Sequence, residues 1–335
     1  MQNIYLKAQD SFYLQLIKDF ELAHILEKGQ VELSFKAGAI NDQIDVFNFK
    51  QDIAESASID LTQFSDFGDW QSYDTTINFG ISKRFATKLT FGVNLIEIGK
   101  SEAEIQHYGF ELKVLALSEF ENLPAISFSF GADTHIANNI TGDINAITFT
   151  LGDIEIQQSF SPPESLTVGG LNDQNYYVGI HFGKIVTDNL LIYSFHKFSL
   201  TMVDSEFQTS LQIGQFQKLK DDFAYDEWSY KAGFGLFYQA AEWCLATLEF
   251  QHGYYNRDFN DNNFAGSNEK NSNKLDIAFH FFVFNNTAIT IGGWANSNFL
   301  AGEIPLIYNK KSASKFDNPY GQIYFSITFG WDMLL

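Results

Sequence analysis

Seven histidines are the side chains of this 335-residue chain best suited to proton transfer or metal binding, and they are widely scattered. No two of them form an HExxH motif, which would place two zinc ligands on one helix face, and no GxSxG turn presents a nucleophilic serine. The sequence thus contains no positive evidence for catalysis, and we predict that the protein is not an enzyme. A Ser–His–Asp site assembled from distant parts of the chain stays an alternative. The histidines are His24, His107, His135, His181, His196, His252 and His280.

One segment rich in Asp and Asn has the ligand spacing of a calcium loop. Asp258, Asn260, Asn262 and Glu269 fall at positions 1, 3, 5 and 12 of an EF-hand-like loop, which binds calcium through oxygen ligands. Asn263 stands where that loop usually has glycine, and we expect no helices on either side. We therefore predict no cofactor, with a calcium ion in this segment as the alternative.

Composition excludes some classes of protein. With 41 acidic and 21 basic residues the net charge is -20, which disfavours nucleic acid as a partner because binding to phosphates needs basic patches. The single cysteine, Cys244, can form no intrachain disulfide. No segment approaches the roughly 18 consecutive apolar residues of a membrane-spanning helix. Aromatic residues make up 16% of the chain and there are only 5 prolines, which favours strands.

The elements that would position the polar side chains are therefore strands. Between residues 73 and 95, apolar and polar residues alternate on both sides of a tight, basic turn. Because strand side chains point alternately to opposite faces, the pattern predicts a hairpin with one apolar and one polar face. Each strand has about ten residues, which is the length that a tilted strand needs to cross a bilayer.

The same alternation recurs in five further segments, and short connections alternate with long polar ones such as 52–69, 161–174 and 256–273. This repetition predicts an all-β, closed antiparallel transmembrane β-barrel of about 14 strands, or about 12 if residues 141–160 form only an extracellular hairpin. Closure pairs every backbone polar group and leaves no edge in the hydrocarbon. A soluble β-sandwich would also alternate, but the long strands and the nearly uncharged apolar faces argue against it. Glycines concentrate on the polar face, where a closed sheet is crowded.

The N-terminal segment departs from the strand pattern. Residues 10–29 have helical spacing of apolar residues, and Gly29 is a suitable end. We divide the chain into an N-terminal segment at 1–28, which forms a short helix or a plug, and a barrel at 29–335. A strand that starts at Phe12 or a mobile leader is the alternative. No secretion signal is visible, so we expect the sequence to be a mature form, with a cytosolic protein as the competing explanation.

Two segments carry a resemblance to a known class. GISKRFATKLTFGV resembles a periplasmic hairpin of Gram-negative, porin-like outer-membrane β-barrels, and YGQIYFSITFGW resembles their C-terminal strand. By pattern, the resemblance covers most of residues 29–335. It implies location in the bacterial outer membrane, short periplasmic turns and long extracellular loops. A count of fourteen strands with an N-terminal segment is also similar to the long-chain fatty acid transporters.

The combined prediction is a passive channel for small solutes, with a modest cation preference that follows from the acidic composition. One alternative is a transporter of hydrophobic substrates, because Tyr177, Phe237, Phe282 and Tyr324 interrupt the polar face. Another is a structural barrel whose loops bind a protein or lipopolysaccharide. The expected partners are the lipid bilayer, lipopolysaccharide and small solutes, and no nucleic acid. The residues predicted to face the lumen are Asp74, Asn78, Asn94, Lys231, Asp276, His280, Ser326 and Thr328.

Overall fold

The computed structural model describes residues 23–40, 67–98, 101–120, 122–151, 154–209, 225–258, 270–284, 286–297 and 320–332. Within these ranges the chain forms thirteen strands. They are β1 (Gln30–Ile40), β2 (Phe67–Ser82), β3 (Phe85–Ile98), β4 (Ser101–Leu117), β5 (Ala125–Ala137), β6 (Ile140–Leu151), β7 (Ile154–Thr187), β8 (Leu190–Thr209), β9 (Tyr225–Ala241), β10 (Cys244–Asp258), β11 (Asn271–Phe284), β12 (Thr287–Asn296) and β13 (Tyr320–Asp332). The described residues contain no helix that is long and apolar enough to span a membrane.

Twelve of these strands close into a ring. Each ring strand pairs in antiparallel fashion with its neighbours, β1 pairs with β13, and β5 pairs directly with β7. The prediction of an all-β, closed antiparallel barrel is confirmed. The main expectation of about fourteen strands is too high, because β6 pairs only with the first half of β7 and lies outside the ring.

β7 also corrects a loop prediction. Residues 161–174 are not a long connection, because β7 continues through them as a single strand of 34 residues. Its first half pairs with β6, and the stretch from Leu166 to Gly169 also pairs with the end of β8, so these strands extend the sheet beyond the ring. The register shifts between Gly169 and Asn172, and Gly170 has a positive φ of 61°, a conformation that favours glycine.

The two faces of the ring differ in polarity. Outward side chains are large and apolar on every strand of the ring, for example Phe35 on β1, Phe130 on β5, Phe234 on β9 and Phe325 on β13. Phe234 is 63% exposed and would be costly to leave in water. An apolar outer surface on a closed ring of long strands is the surface that a lipid bilayer covers.

The ends of the barrel also differ. At one end, named here the turn side, strands are joined by the short connections at 83–84, 118–124, 188–189, 242–243 and 285–286. The opposite end, the loop side, carries the extension formed by β6, β7 and β8. The position of an inward residue along its strand therefore sets its distance from each end of the barrel.

Candidate functional site

The inward side chains of the ring surround a cavity of about 550 Å³. Most of its lining is polar, as alternation along the strands requires when the outer face is apolar. Asp276 lies just behind the lining, where its carboxylate accepts a hydrogen bond of 2.8 Å from the hydroxyl of Tyr324, which does line the cavity. The other seven residues predicted to face the lumen lie in the lining itself: Asp74, Asn78, Asn94, Lys231, His280, Ser326 and Thr328.

Charge is distributed unevenly around this cavity. All four carboxylates of the lining lie on β1 to β5, together with two lysines. The lining contributed by β7 to β13 contains three lysines and no carboxylate. The lining as a whole is therefore close to neutral, in contrast to the strongly acidic chain. The carboxylates are Glu32, Asp74, Glu111 and Asp133, and the lysines are Lys36, Lys88, Lys197, Lys231 and Lys274.

Two lysines of the cavity stand side by side. Lys197 on β8 is directly opposite Lys231 on β9 in the antiparallel register. The Lys197 ammonium lies 5.3 Å from the centre of the Tyr177 ring, and the Lys231 ammonium lies 5.7 Å from the centre of the Tyr255 ring. The pair places two lysine side chains at one register position in this wall, an arrangement that is unfavourable in a sheet by itself.

A carboxylate on the other wall is left open to the cavity. Asp74 is directly opposite Lys36, but the Lys36 ammonium lies 3.9 Å over the ring of Tyr324 instead. Among the described residues, Asp74 has no ion-pair partner. Gly92 makes room for it, because a Cβ at that position would lie 2.2 Å from Asp74 Oδ1.

Inward glycines accommodate tyrosines that cross to a third strand. The Tyr177 ring lies over Gly131, where an added Cβ would be 2.1 Å from Tyr177 Cζ, and its hydroxyl donates a hydrogen bond of 2.9 Å to Glu111 beyond. Gly131 is directly opposite both residues in the sheet. Glycine is therefore needed at this position because an aromatic ring passes over it to reach a buried carboxylate. The same arrangement recurs in Tyr193–Gly235–Glu249 and, with the carboxylate two residues further along its strand, in Tyr324–Gly292–Asp276.

The histidines of the barrel are held in structural contacts. The Nδ1 atom of His135 lies 3.0 Å from both carboxylate oxygens of Asp173, and the His135 ring stacks on His107 with 4.6 Å between ring centres. His181 is fully buried and lies 2.9 Å from the hydroxyl of Ser129, which is also fully buried. A buried serine and histidine packed into the wall do not present a nucleophile to the cavity.

The chain before β1 lies inside the ring at the turn side. An added Cβ on the inward Gly80 would lie 1.9 Å from the carbonyl oxygen of Glu27, and one on the inward Gly183 would meet His24. Gly29 donates a backbone hydrogen bond of 2.8 Å to Gly80. Residues 23–28 thus cross the lumen between β7 and β2, and Leu26 is almost completely buried there.

One carboxylate in a turn holds this crossing segment. Glu119 Oε2 lies 3.1 Å from His24 Nε2, and Glu119 Oε1 lies 3.0 Å from Lys184 Nζ. The backbone amide of Ile185 also donates to Glu119 at 3.1 Å. Although burial alone would raise the pKa of the Glu119 carboxyl, these bonds from His24, Lys184 and Ile185 lower it below its ordinary value.

Apolar side chains fill the neighbouring part of the turn side. Phe237 and Phe282, two of the aromatics that interrupt the polar pattern, belong to this cluster and pack against its other members. The other two, Tyr177 and Tyr324, line the cavity, but their hydroxyls are bonded to Glu111 and Asp276. The cluster comprises Leu191, Tyr193, Phe195, Phe237 and Leu245, with Ile185 and Phe282 against it.

The calcium-loop prediction lies mostly outside the described residues. Asp258 ends β10, while Asn260, Asn262 and Glu269 lie beyond the ranges that the structure covers. Within those ranges, no group of three or more His, Cys, Asp or Glu side chains is placed to hold a metal ion. The calcium hypothesis stays a prediction.

Several site residues were not predicted from the sequence. Asp133 and His135 continue the inward alternation of Ser127, Ser129 and Gly131, so their direction was available from the pattern. Their partners were not, because Asp173 is 38 residues away and meets His135 only through the pairing of β5 with β7.

A closed ring with an apolar outer face and a polar, charged lumen defines a transmembrane β-barrel. The solved structures that this chain is similar to are outer-membrane β-barrel proteins. The translocator domain of autotransporter NalP from Neisseria meningitidis shares 11% identity at a TM-score of 0.49, over 98% of this chain and 95% of that one. An outer-membrane channel from Pseudomonas putida F1 shares 7% at a TM-score of 0.47, over 94% and 100%. The NanC porin shares 7% at a TM-score of 0.44, over 89% and 98%.

No protein-family model and no curated protein sequence matches the chain. At the identities of these structures, the likeness concerns the fold alone.

Proposed function

We propose that this chain is a bacterial outer-membrane channel through which small polar solutes diffuse passively. The observation that carries the proposal is the polar and charged lining of a cavity of about 550 Å³ inside a ring whose outer face is apolar. A polar lumen stabilises hydrated solutes during passage, whereas a barrel that only anchored loops would need no such lining. Bilayer lipid and lipopolysaccharide are the partners proposed for the outer face.

The lining supports only weak charge selectivity. Its lysines slightly outnumber its carboxylates, so the acidic composition of the whole chain acts on ions mainly from outside the cavity. Charges at a mouth are screened over about 10 Å at ordinary salt concentrations. We therefore propose at most a modest cation preference.

We also propose that residues 23–28 act as a plug that restricts the turn-side mouth. The support is their burial against Gly80 and Gly183 and the contact of His24 with Glu119. Conduction through the channel would then require this short segment to move, since it lies across the lumen.

Planar-bilayer recording with purified, refolded protein tests the channel. We expect stepwise ion currents, with reversal potentials in a salt gradient that indicate weak selectivity for cations. Protein from the same preparation that was never refolded serves as the control. Silence in every refolded preparation would contradict the channel, as would strong anion selectivity. Silence together with saturable binding of a hydrocarbon would favour the hydrophobic-substrate alternative, which is supported by the aromatic residues of the lining: Trp70, Phe110, Tyr177, Trp294 and Tyr324.

A further inference from the structure

The separation of charges in the cavity points to a particular class of solute. We propose that the lumen binds small zwitterions that carry a primary ammonium and a carboxylate, with the carboxylate at Lys197 and Lys231 and the ammonium at Asp74 and Asp133. This inference rests on the proposed channel and names its preferred solute. It depends on three observations, which concern the lysine pair, the opposing carboxylates and the size of the space between them.

The lysine pair provides the anion site. Lys197 and Lys231 are directly opposite each other on β8 and β9, and both line the cavity. Two lysines on neighbouring strands that both line the cavity can each donate a charge-assisted hydrogen bond to one solute carboxylate. Each ammonium group also lies near an aromatic ring, Lys197 near Tyr177 on β7 and Lys231 near Tyr255 on β10.

The other wall provides the cation site. Asp74 lines the cavity, with Oδ1 in the space above Gly92, while Lys36, its neighbour in the register, lies over Tyr324. Asp133 also lines the cavity, and its carboxylate accepts hydrogen bonds of 2.9 and 3.3 Å from Asn175. A carboxylate has about four acceptor positions, so both groups can accept from an ammonium as well.

The two sites belong to one compact space. Asp133 lies on β5 and Lys197 on β8, and only β7 separates these strands in the ring. Tyr177 of β7 links the walls, because its ring lies under Lys197 and its hydroxyl is bonded to Glu111 on β4. A cavity of about 550 Å³ accommodates an amino acid or a short peptide rather than an oligomer. A solute with a single charge could satisfy only one of the walls.

The test compares three solutes of equal carbon number: γ-aminobutyrate, butyrate and butylammonium. Their binding to the full-length protein in detergent is measured by titration calorimetry, and their effect on the potassium chloride current is measured in bilayers. We expect γ-aminobutyrate to bind with an affinity about tenfold higher than either single-charge analogue, as a further charge-assisted hydrogen bond would provide. It should also reduce the ion current saturably.

Variants assign the sites. Replacing both lysines (Lys197→Gln with Lys231→Gln) should abolish the preference for γ-aminobutyrate over butylammonium. Asp74→Asn should weaken its preference over butyrate. The matched control removes two positive charges from the exposed turn instead, with Lys83→Gln and Arg84→Gln, and should keep wild-type binding.

The outcomes separate this inference from the channel proposal. Equal binding of the three solutes by a conducting protein would overturn the zwitterion site and leave the channel standing. Zwitterion binding in calorimetry without ion current would overturn the channel and support the site. If the lysine double variant and the turn control bind equally, the assignment to Lys197 and Lys231 is wrong.

Discussion

Replacing Gly235 by alanine should destabilise the barrel, whereas the same change at Gly109 should not. Both glycines are on the inward face of strands of the ring. At Gly235 an added Cβ would lie 2.4 Å from Tyr193 Cζ, far inside van der Waals contact. At Gly109 the nearest atom is Thr90 Cβ, at an ordinary 3.4 Å. The two variants therefore add the same atom to tight and to open surroundings.

The size of the stability loss in Gly235→Ala follows from the contacts that Tyr193 would lose. It is 5% exposed, packs against Phe237 at 5.4 Å between ring centres and donates a hydrogen bond to Glu249, so it cannot move without loss. Losing a hydrogen bond to a charged group costs about 1.5–3 kcal/mol, and overpacking costs about 1–3 kcal/mol. We expect Gly235→Ala to lower the free energy of unfolding by about 2–5 kcal/mol. Gly109→Ala should raise it by about 0.5–1 kcal/mol, because alanine loses less backbone entropy in a strand.

Urea titration of protein refolded into lipid vesicles, followed by tryptophan fluorescence, measures both changes. Glu249→Gln completes the experiment, because it weakens the Tyr193 hydrogen bond without adding volume and should account for part of the Gly235→Ala loss. Equal stability of the Gly235→Ala and Gly109→Ala proteins would refute the reasoning that the glycine exists to admit the tyrosine ring.

Three further predictions concern the plug and the outer face. Glu119→Gln should increase the open time of the channel in bilayer recordings, because it removes the ion pairs to His24 and Lys184, while Lys83→Gln in a neighbouring turn should not. Since folding lowers the pKa of Glu119, the stabilisation of the plug by its carboxylate is fully present above the ordinary glutamate pKa and is lost as pH falls through the lower folded value. Acidification should therefore increase the wild-type current and change the Glu119→Gln current much less. An unchanged wild-type current would contradict this prediction. Phe325→Arg should reduce stability in vesicles by about 2–4 kcal/mol if this outward residue faces hydrocarbon near the bilayer centre, whereas Phe325→Leu should refold normally; equal refolding yields would contradict a lipid-facing position.

Alternation in the sequence was sufficient to predict the class of fold and the direction of most side chains. On β2, for example, Tyr73 is exposed on the outside while Asp74 lines the cavity, as a period of two requires. Closure of the ring was also predictable, because long strands with an apolar outer face have no other way to pair their edges.

The number of strands was harder to predict from the sequence, because local residue preferences in β7 indicate a loop. Pro162, Pro163, Gly169 and Gly170 are typical of a loop, yet the segment is extended, because the residues before and after the two prolines pair with β6 and residues 166–169 also pair with β8. Tertiary pairing here outweighs local preference, and the sequence contains no short-range signal of that pairing.

The charge pattern of the lumen also could not be predicted from the sequence. Net charge predicted a modest cation preference, but the charge of the lining depends on which charged residues occupy inward positions at the same depth. Lys197 and Lys231 are 34 residues apart, and only the register of β8 with β9 brings them together. Register follows from long-range packing, which a single sequence does not display.

The central claim is that ions pass through this lumen. It is tested most directly by asking whether a reagent that reacts with a lumen residue changes the current. In a Cys244→Ser background, single cysteines are introduced at Ser199, which lines the cavity, and at its outward neighbour Leu200. A charged, water-soluble methanethiosulfonate is then added during bilayer recording. We predict that the current through Ser199→Cys falls when the reagent reacts, while Leu200→Cys is unaffected. An unchanged current through Ser199→Cys, with mass spectrometry showing that its thiol has reacted, would contradict conduction through this lumen.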